Sequence, residues 1–355
     1  MVRFVRGGGD SRGDGLGAHK SDSTYHTRRQ LAIRYEEIIS VENLLGAWQE
    51  FAIGKRSKLD VQLFGLHLMD NILNLHKELV SLSYEHGGYK HFKISDPKPR
   101  DIHKAPVRDR LLHHAIYRKL YPFFDRTFIA DSYSCRLRKG THRAMERFKT
   151  FGHRVSKNST RTCWLLKCDI RKFFASIDHQ TLYDILVAHI SDESIGWLLQ
   201  RVVLSFSSGQ PRRGLPLGNL TSQLLVNIYM NEFDQFVKHQ LKAKQYMRYA
   251  DDFVILSHDR SELEQQLVFM EEFLQSRLKL AMHPKKVSIR TLASGVDFLG
   301  WVHFPDHRVL RTTSKRRMLV RLATRPDEAV LNSYLGLLSH GNARKLKNMI
   351  KRAVA

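Results

Sequence analysis

Cysteine is scarce in this chain of 355 residues: Cys135, Cys163 and Cys168 are the only three. An odd number with no CxxC pair suggests neither a disulfide framework nor a zinc site. The nineteen histidines do not replace it. His303 and His307 stand four apart, but Pro305 between them breaks the helix a ligand pair would need. No apolar run approaches the roughly 18 residues that span a bilayer. No charged, apolar and small-residue succession resembles a secretion signal. The cytoplasm is therefore the expected location, with no membrane partner. Acid is also in deficit, with 35 Asp and Glu against 58 Lys and Arg and a formal net charge of +23. Such an excess suits a polyanion, because each cation set on a phosphate releases condensed counterions.

The hydrophobic fraction of 42% is enough for a real core divided over two or three subdomains. Residues 1–28 are rich in Gly, Ser, Asp and Arg and read as a flexible basic tail. From Ser40, Leu44, Leu45, Trp48 and Phe51 recur near a 3.6 period. A second helical stretch contains Leu66, Leu68, Met69, Ile72, Leu73, Leu75 and His76. Alternation from Tyr89 to Ile94 predicts a short strand. Asp96-Pro97-Lys98-Pro99-Arg100 stiffens the chain before Ile102 to Arg110, a segment dense in cations, and Leu111 to Phe124 reads as a helix.

Cys163 to Cys168 is an apolar run of strand length that ends at Asp169. A helix begins near Asp178, which can cap it. Gly214 to Asn219 is a turn opening a long helix through Val237. Met247 to Tyr249 and Phe253 to Leu256 read as strands around a tight Ala250-Asp251-Asp252 turn. Ser261 to Leu280 reads as an amphipathic helix with a Ser261–Glu264 capping box, ended by Pro284. Val296 to Val302 and Val309 to Arg311 form a further hairpin. This order predicts an α+β fold with a central antiparallel sheet backed by helices.

The chemistry rests on carboxylates. Nucleotidyl transfer uses two divalent cations about 3.5–4 Å apart, and magnesium accepts oxygen ligands while keeping some water. A carboxylate at a strand end, Asp169, facing two on the tip of a hairpin, Asp251 and Asp252, supplies such a site. Paired aspartates in a turn are common for conformational reasons alone. Here, however, both flanks of the turn read as strands.

Lys167-Cys168-Asp169-Ile170-Arg171-Lys172-Phe173-Phe174, followed by Ser176-Ile177-Asp178, resembles the first catalytic motif of reverse transcriptases. Arg248-Tyr249-Ala250-Asp251-Asp252-Phe253 resembles their second. His283-Pro284-Lys285-Lys286-Val287 is similar to the lysine-bearing motif that follows, and Phe298-Leu299-Gly300-Trp301 to the primer grip. The motifs fall in the family's order. Where most members carry Pro-Gln-Gly before the long helix, this chain has Pro216-Leu217-Gly218, then Asn219-Leu220-Thr221-Ser222-Gln223. That variant, with Asp131 to Arg136, Lys139 to His142 and Asp96 to Arg100, resembles the reverse transcriptases of diversity-generating retroelements.

The resemblance implies a right-hand polymerase. Residues 29–160 would be an N-terminal extension and fingers, 161–303 the palm with part of the fingers, and 304–355 a short basic helical thumb. It implies that Asp169, Asp251 and Asp252, with Ile170 beside them, serve two Mg2+ ions, with Mn2+ as a substitute, and that the substrates are dNTPs. Lys286 would protonate pyrophosphate, with Lys285 as the rival. Lys98, Arg100 and Arg110 would meet the triphosphate or template, although Arg110 could equally form a structural ion pair. Ile170, Leu217, Gly218 and Gln223 would line the same region. Phe174 would crowd a ribose 2′-hydroxyl, whereas Phe173 belongs to the core.

Leu217 cannot make the hydrogen bond a glutamine offers near the incoming base, so relaxed fidelity is expected; errors biased to template adenine are implied by the resemblance alone. Template RNA, the RNA/cDNA duplex and a small ring-forming basic accessory protein are the partners implied. Residues 306–352 hold 12 Lys and Arg against 3 acids, which suits a duplex backbone. The alternatives are a phage-defence or group II intron reverse transcriptase, or a non-catalytic RNA-binding scaffold.

Overall fold

The computed structural model describes residues 29–95, 99–324 and 327–354. The tail expected at 1–28 and the nucleotide contact expected at Lys98 lie outside the described residues. Four helices come first: α1 (Tyr35–Ile39), α2 (Val41–Ala52), α3 (Leu59–Leu66) and α4 (Leu68–Val80). A hairpin of β1 (Lys90–Ile94) and β2 (Arg100–Lys104) precedes α5 (Val107–Phe124) and α6 (Thr141–Ser156). Then come β3 (Trp164–Asp169), α7 (Phe173–Ser176), α8 (His179–Val187), α9 (Glu193–Leu204) and α10 (Leu220–Gln235). Next are β4 (Tyr246–Tyr249), β5 (Asp252–Ser257), α11 (Arg260–Leu278), β6 (Ser288–Thr291), β7 (Val296–Phe298), β8 (Trp301–His303) and β9 (Arg308–Leu310). The last helices are α12 (Thr312–Thr324), α13 (Glu328–Leu338) and α14 (Arg344–Val354).

The fold is α+β with antiparallel sheets. The central sheet has strand order β4-β5-β3-β6, and a separate three-stranded sheet runs β7-β8-β9. Alternation along β3 divides the core between two faces. Leu166 and Cys168 face the larger cluster, with Phe253, Ile255, Tyr229 and Phe233. Leu165 faces the smaller one, with Val254, Leu256, Phe148, Phe151 and Phe298. Asp169 follows Leu165 by four residues, so it stands on the face that also carries β7 and α6.

Several local expectations need correction. The second helical stretch is two helices broken at His67, and its Met69 and Leu73 are exposed. The cap of α11 is Asp259, whose carboxylate accepts from Ser261 N; Glu264 pairs with Arg260 instead of closing a box. That helix ends at Leu278 on a left-handed Lys279, well before Pro284. The long helix α10 passes into a π-helical turn at Phe236–Gln240. The late hairpin gains a third strand.

The C-terminal helices have a core of their own, with Met318, Leu322, Leu338 and Ile350 buried and Leu331, Tyr334 and Leu335 around them. They dock through Gly341, where an added Cβ would lie 2.0 Å from Cζ3 of buried Trp301. Asn342 N donates to Arg308 O at 2.8 Å beside it. Gly341→Ala is expected to cost about 1–3 kcal/mol through overpacking, seen as a lower melting temperature. A melting curve like the wild type's would count against this docking.

Candidate active site

The β3–β5 register places Asp169 directly opposite Asp252, although 83 positions separate them in the chain. β4 and β5 close on the pair Tyr249–Asp252, which leaves Ala250 and Asp251 as a two-residue turn. Such turns call for a positive φ, normally supplied by glycine; here Ala250 adopts φ 56. The left-handed region costs a non-glycine residue roughly 1–2 kcal/mol, so the surroundings must enforce it. Ile170 N donates to Asp251 O at 3.3 Å and ties the turn to the end of β3.

The enforcing group is Arg248, which is 1% exposed. It makes a fork of bonds to fully buried Asp234, with Nη2 2.7 Å from Oδ2 and Nε 2.8 Å from Oδ1. Tyr246 Oη donates to the same carboxylate at 2.6 Å, and Arg248 Nη1 reaches Asn227 Oδ1 at 3.3 Å. Nη1 also donates to the Ala250 carbonyl at 3.0 Å, holding the strained turn from within.

Two lysines face the aspartates. Lys286 Nζ lies 2.9 Å from both oxygens of Asp169. Its loop is hooked there because His283 N donates to Asp169 O at 2.7 Å. Lys167 Nζ stands 3.9 Å from Asp252 Oδ1 and donates to Asp297 O at 2.6 Å, joining the sheet to β7. Burial and the nearby charges of Asp169 and Asp252 push the Asp251 carboxyl up to about 6. Burial also raises Asp252, against the pull of Lys167. Burial works against the charge on Lys286, but its bond to Asp169 prevails and raises it.

The remaining residues expected at the site divide into two groups. Leu217 and Gly218 meet the β1–β2 hairpin: His103 N donates to Leu217 O at 3.1 Å, and Asn219 Nδ2 to His103 O at 3.1 Å. Gly218, at φ 106, leaves Ile102 room that a Cβ would take. Phe174 is half-buried, its carbonyl accepting from Leu215 N at 2.8 Å, while Phe173 is core. Gln223 is half-buried on α10, and Ile170 is buried. Arg100 is exposed at the start of β2. Arg110 takes its structural alternative: Asp60 holds it at 2.6 Å and holds Lys104 as well. Lys285 is exposed, and its backbone N–H donates to His283 Nδ1 at 3.2 Å.

Residues 93–303, more than half of the chain, match the family of reverse transcriptases (RNA-dependent DNA polymerases). The chain belongs to the reverse transcriptase family. It is accordingly an RNA-directed DNA polymerase, and reverse transcriptases use divalent metal ions and dNTPs and bind template RNA. This reverse transcriptase is 26% identical over 275 residues to Protein YkfC of Escherichia coli K12, covering 67% of the chain and 70% of YkfC. It is 25% identical over 211 residues to the group II intron-encoded protein LtrA of Lactococcus lactis subsp. cremoris. That match takes in 54% of the chain but only 34% of LtrA. Apo telomerase of Candida tropicalis, truncated from its C-terminal domain, aligns with a TM-score of 0.48 at 13% identity, over 69% of this chain and 60% of that one.

The donor set of this reverse transcriptase fits a hard divalent cation. Asp169, Asp251 and Asp252 offer oxygen only, and their mutual repulsion calls for positive charge. Lys286 already supplies one such charge, on both oxygens of Asp169. Among the described residues no three ligating side chains close into a metal cage; Lys286 holds Asp169 at 2.9 Å and Lys167 stands 3.9 Å from Asp252. A bound cation would polarise the reacting oxygens. The chain's own part is to fix the turn through Arg248, to set Asp169 across from Asp252, and to hold an ammonium at Lys286.

Sequence reasoning named Lys167 and Arg248 only as letters of motifs. Their signal was weak, since an Asp 14 positions upstream on a helix carries no periodic mark of its pairing with Arg248. No helix among the described residues is long and apolar enough to cross a membrane.

Proposed function

We propose that this reverse transcriptase copies a template RNA into error-prone cDNA, as diversity-generating retroelement enzymes do. The observation that carries the reading is Leu217, in the turn where a glutamine would offer hydrogen bonds to the nascent base pair. Its main chain is fixed by His103 N, so the side chain sits on a held platform with only apolar contact to give. In this reading Asp169, Asp251 and Asp252, with Ile170 adjoining, hold two Mg2+ ions. Lys286 gives a proton to departing pyrophosphate and Phe174 screens the ribose. Arg100 and Lys98 meet the triphosphate, and Gly218 and Gln223 line its pocket. The fingers would take residues 29–160, the palm 161–303 and the thumb 304–355. A ring-forming basic accessory protein is the partner this reading carries.

Primer extension on an RNA template, with sequencing of the product, tests it. Leu217→Gln is expected to lower misincorporation by about five- to tenfold, the worth of roughly one hydrogen bond. Equal error rates in both enzymes would remove the basis of the reading. The likeness to LtrA favours a second reading, an intron-encoded type. Accurate copying by the wild type would support that instead.

A further inference from the structure

Away from the catalytic turn, charge concentrates on α6 and its flanks. Residues 138–161 hold eight Lys and Arg against one acid, Glu146. α6 buries Ala144, Phe148, Phe151 and Val155 beneath β4 and β5. Its opposite face carries Arg143, Thr150 and Arg154, all exposed, then Lys157 in the left-handed cap and Arg161 beyond. Steps of three and four place these on one line, about 21 Å long from Arg143 to Lys157 at 1.5 Å per residue.

Little on the molecule neutralises this row. Arg147 turns inward to Asp131 at 2.8 Å, and Glu146 is taken by Arg308 at 2.7 Å. Among the described residues no carboxylate forms an ion pair with Arg143, Arg154 or Lys157. The row also has a direction. Thr141 Oγ1 donates to Tyr249 Oη at 3.1 Å, beside the catalytic turn. At the other end, Gly152 lies against Leu292, whose N–H bonds Cys163 O at the far edge of the sheet. Behind that end is an open hollow of about 420 Å³ where Ser159, Thr160, Arg161 and Thr162 share a largely apolar wall with Leu292 and Pro305.

We propose that the outer face of α6, from Arg143 to Lys157 with Arg161 and the hydroxyls of Ser159 and Thr160 beside it, is a second phosphate track for RNA outside the copied duplex. A protein interface would present an apolar or aromatic centre, and no large hydrophobic is exposed between 138 and 161. Aligned cations with hydroxyls are instead the footprint of backbone recognition. The track leads away from Asp251, so it suits RNA leading to or from the template rather than the reacting end. The inference rests on RNA copying, not on error-prone copying.

The test is the full chain carrying Arg143→Gln, Arg154→Gln and Lys157→Gln together, with a Glu series beside it. Surface changes of this kind leave melting nearly unmoved, so the Gln series carries the result if the Glu series misfolds. On a long folded RNA primed at its 3′ end, affinity is expected to fall by at least about tenfold. The slope of log K against log salt is expected to shrink by about 2, near 0.7 for each phosphate released. On a short RNA/DNA primer-template, kcat and KM are expected to hold. An unchanged salt slope on the long RNA would overturn the track. So would an equal loss on the short duplex, which would assign the row to the copied helix.

Discussion

Asp251→Asn is expected to remove nucleotide incorporation by at least about a thousandfold and, in metal-free protein, to raise the melting temperature at pH 8. The two effects have one cause. Asp251 is half-buried beside Asp169 and Asp252, and desolvation with this crowding lifts its carboxyl to about 6. The folded chain therefore holds that proton more tightly than the unfolded chain does. The stability this contributes is fully present below the ordinary aspartate range and is lost as pH rises through about 6. At pH 8 the wild type carries the full repulsion, and an amide carries none. The gain in melting temperature should thus shrink as pH falls and vanish near pH 4. On the proposed reading, the carboxylates that would hold a divalent cation are the ones that cost stability without it. An asparagine variant with no gain at pH 8, or with near-normal incorporation, would contradict this account of the site.

Arg248→Met is expected to cost about 3–5 kcal/mol, because it strands the fully buried Asp234 without its partner. The pair of changes Arg248→Met and Asp234→Leu is expected to recover most of that loss, since a buried ion pair replaced by apolar groups is often neutral. Activity should not return with stability. Arg248 Nη1 holds the carbonyl of Ala250 at 3.0 Å, and that bond keeps Asp251 on its strained turn. A displacement of even an ångström there is worth about a hundredfold in rate. The double variant should melt near the wild type, with kcat reduced on that scale and KM for primer-template little changed. A double variant with full kcat would show that the turn holds itself.

The contrast between these residues indicates what was legible in the chain. Asp169, Asp251 and Asp252 were readable because strand-length apolar runs end at them and a two-residue turn has a strong local signature. The helices α2, α5 and α8 were readable from apolar patterning and, for α8, from the cap at Asp178; that Ser40 caps α2 came from the structure. The break at His67 was not, because both halves keep the helical spacing and only packing separates them. The cap of α11 was misplaced because Ser261 with Glu264 and Asp259 with its own neighbours compete for the same N–H groups.

Arg110 shows the same limit for function. A cation in a basic segment suits a phosphate, and only the approach of Asp60 from α3 turns it into a structural pair.

By itself the sequence determined the α+β class, the carboxylate trio and the family, because period, turn chemistry and motif order are properties of neighbouring residues. Only the tertiary structure decided that Lys286 grips Asp169, that Lys167 bridges Asp252 to β7, that Asp234 anchors the Ala250–Asp251 turn through Arg248, and that α6 carries an unneutralised row. Each of these joins groups far apart in the chain, and such partners are chosen by packing, which leaves no local mark.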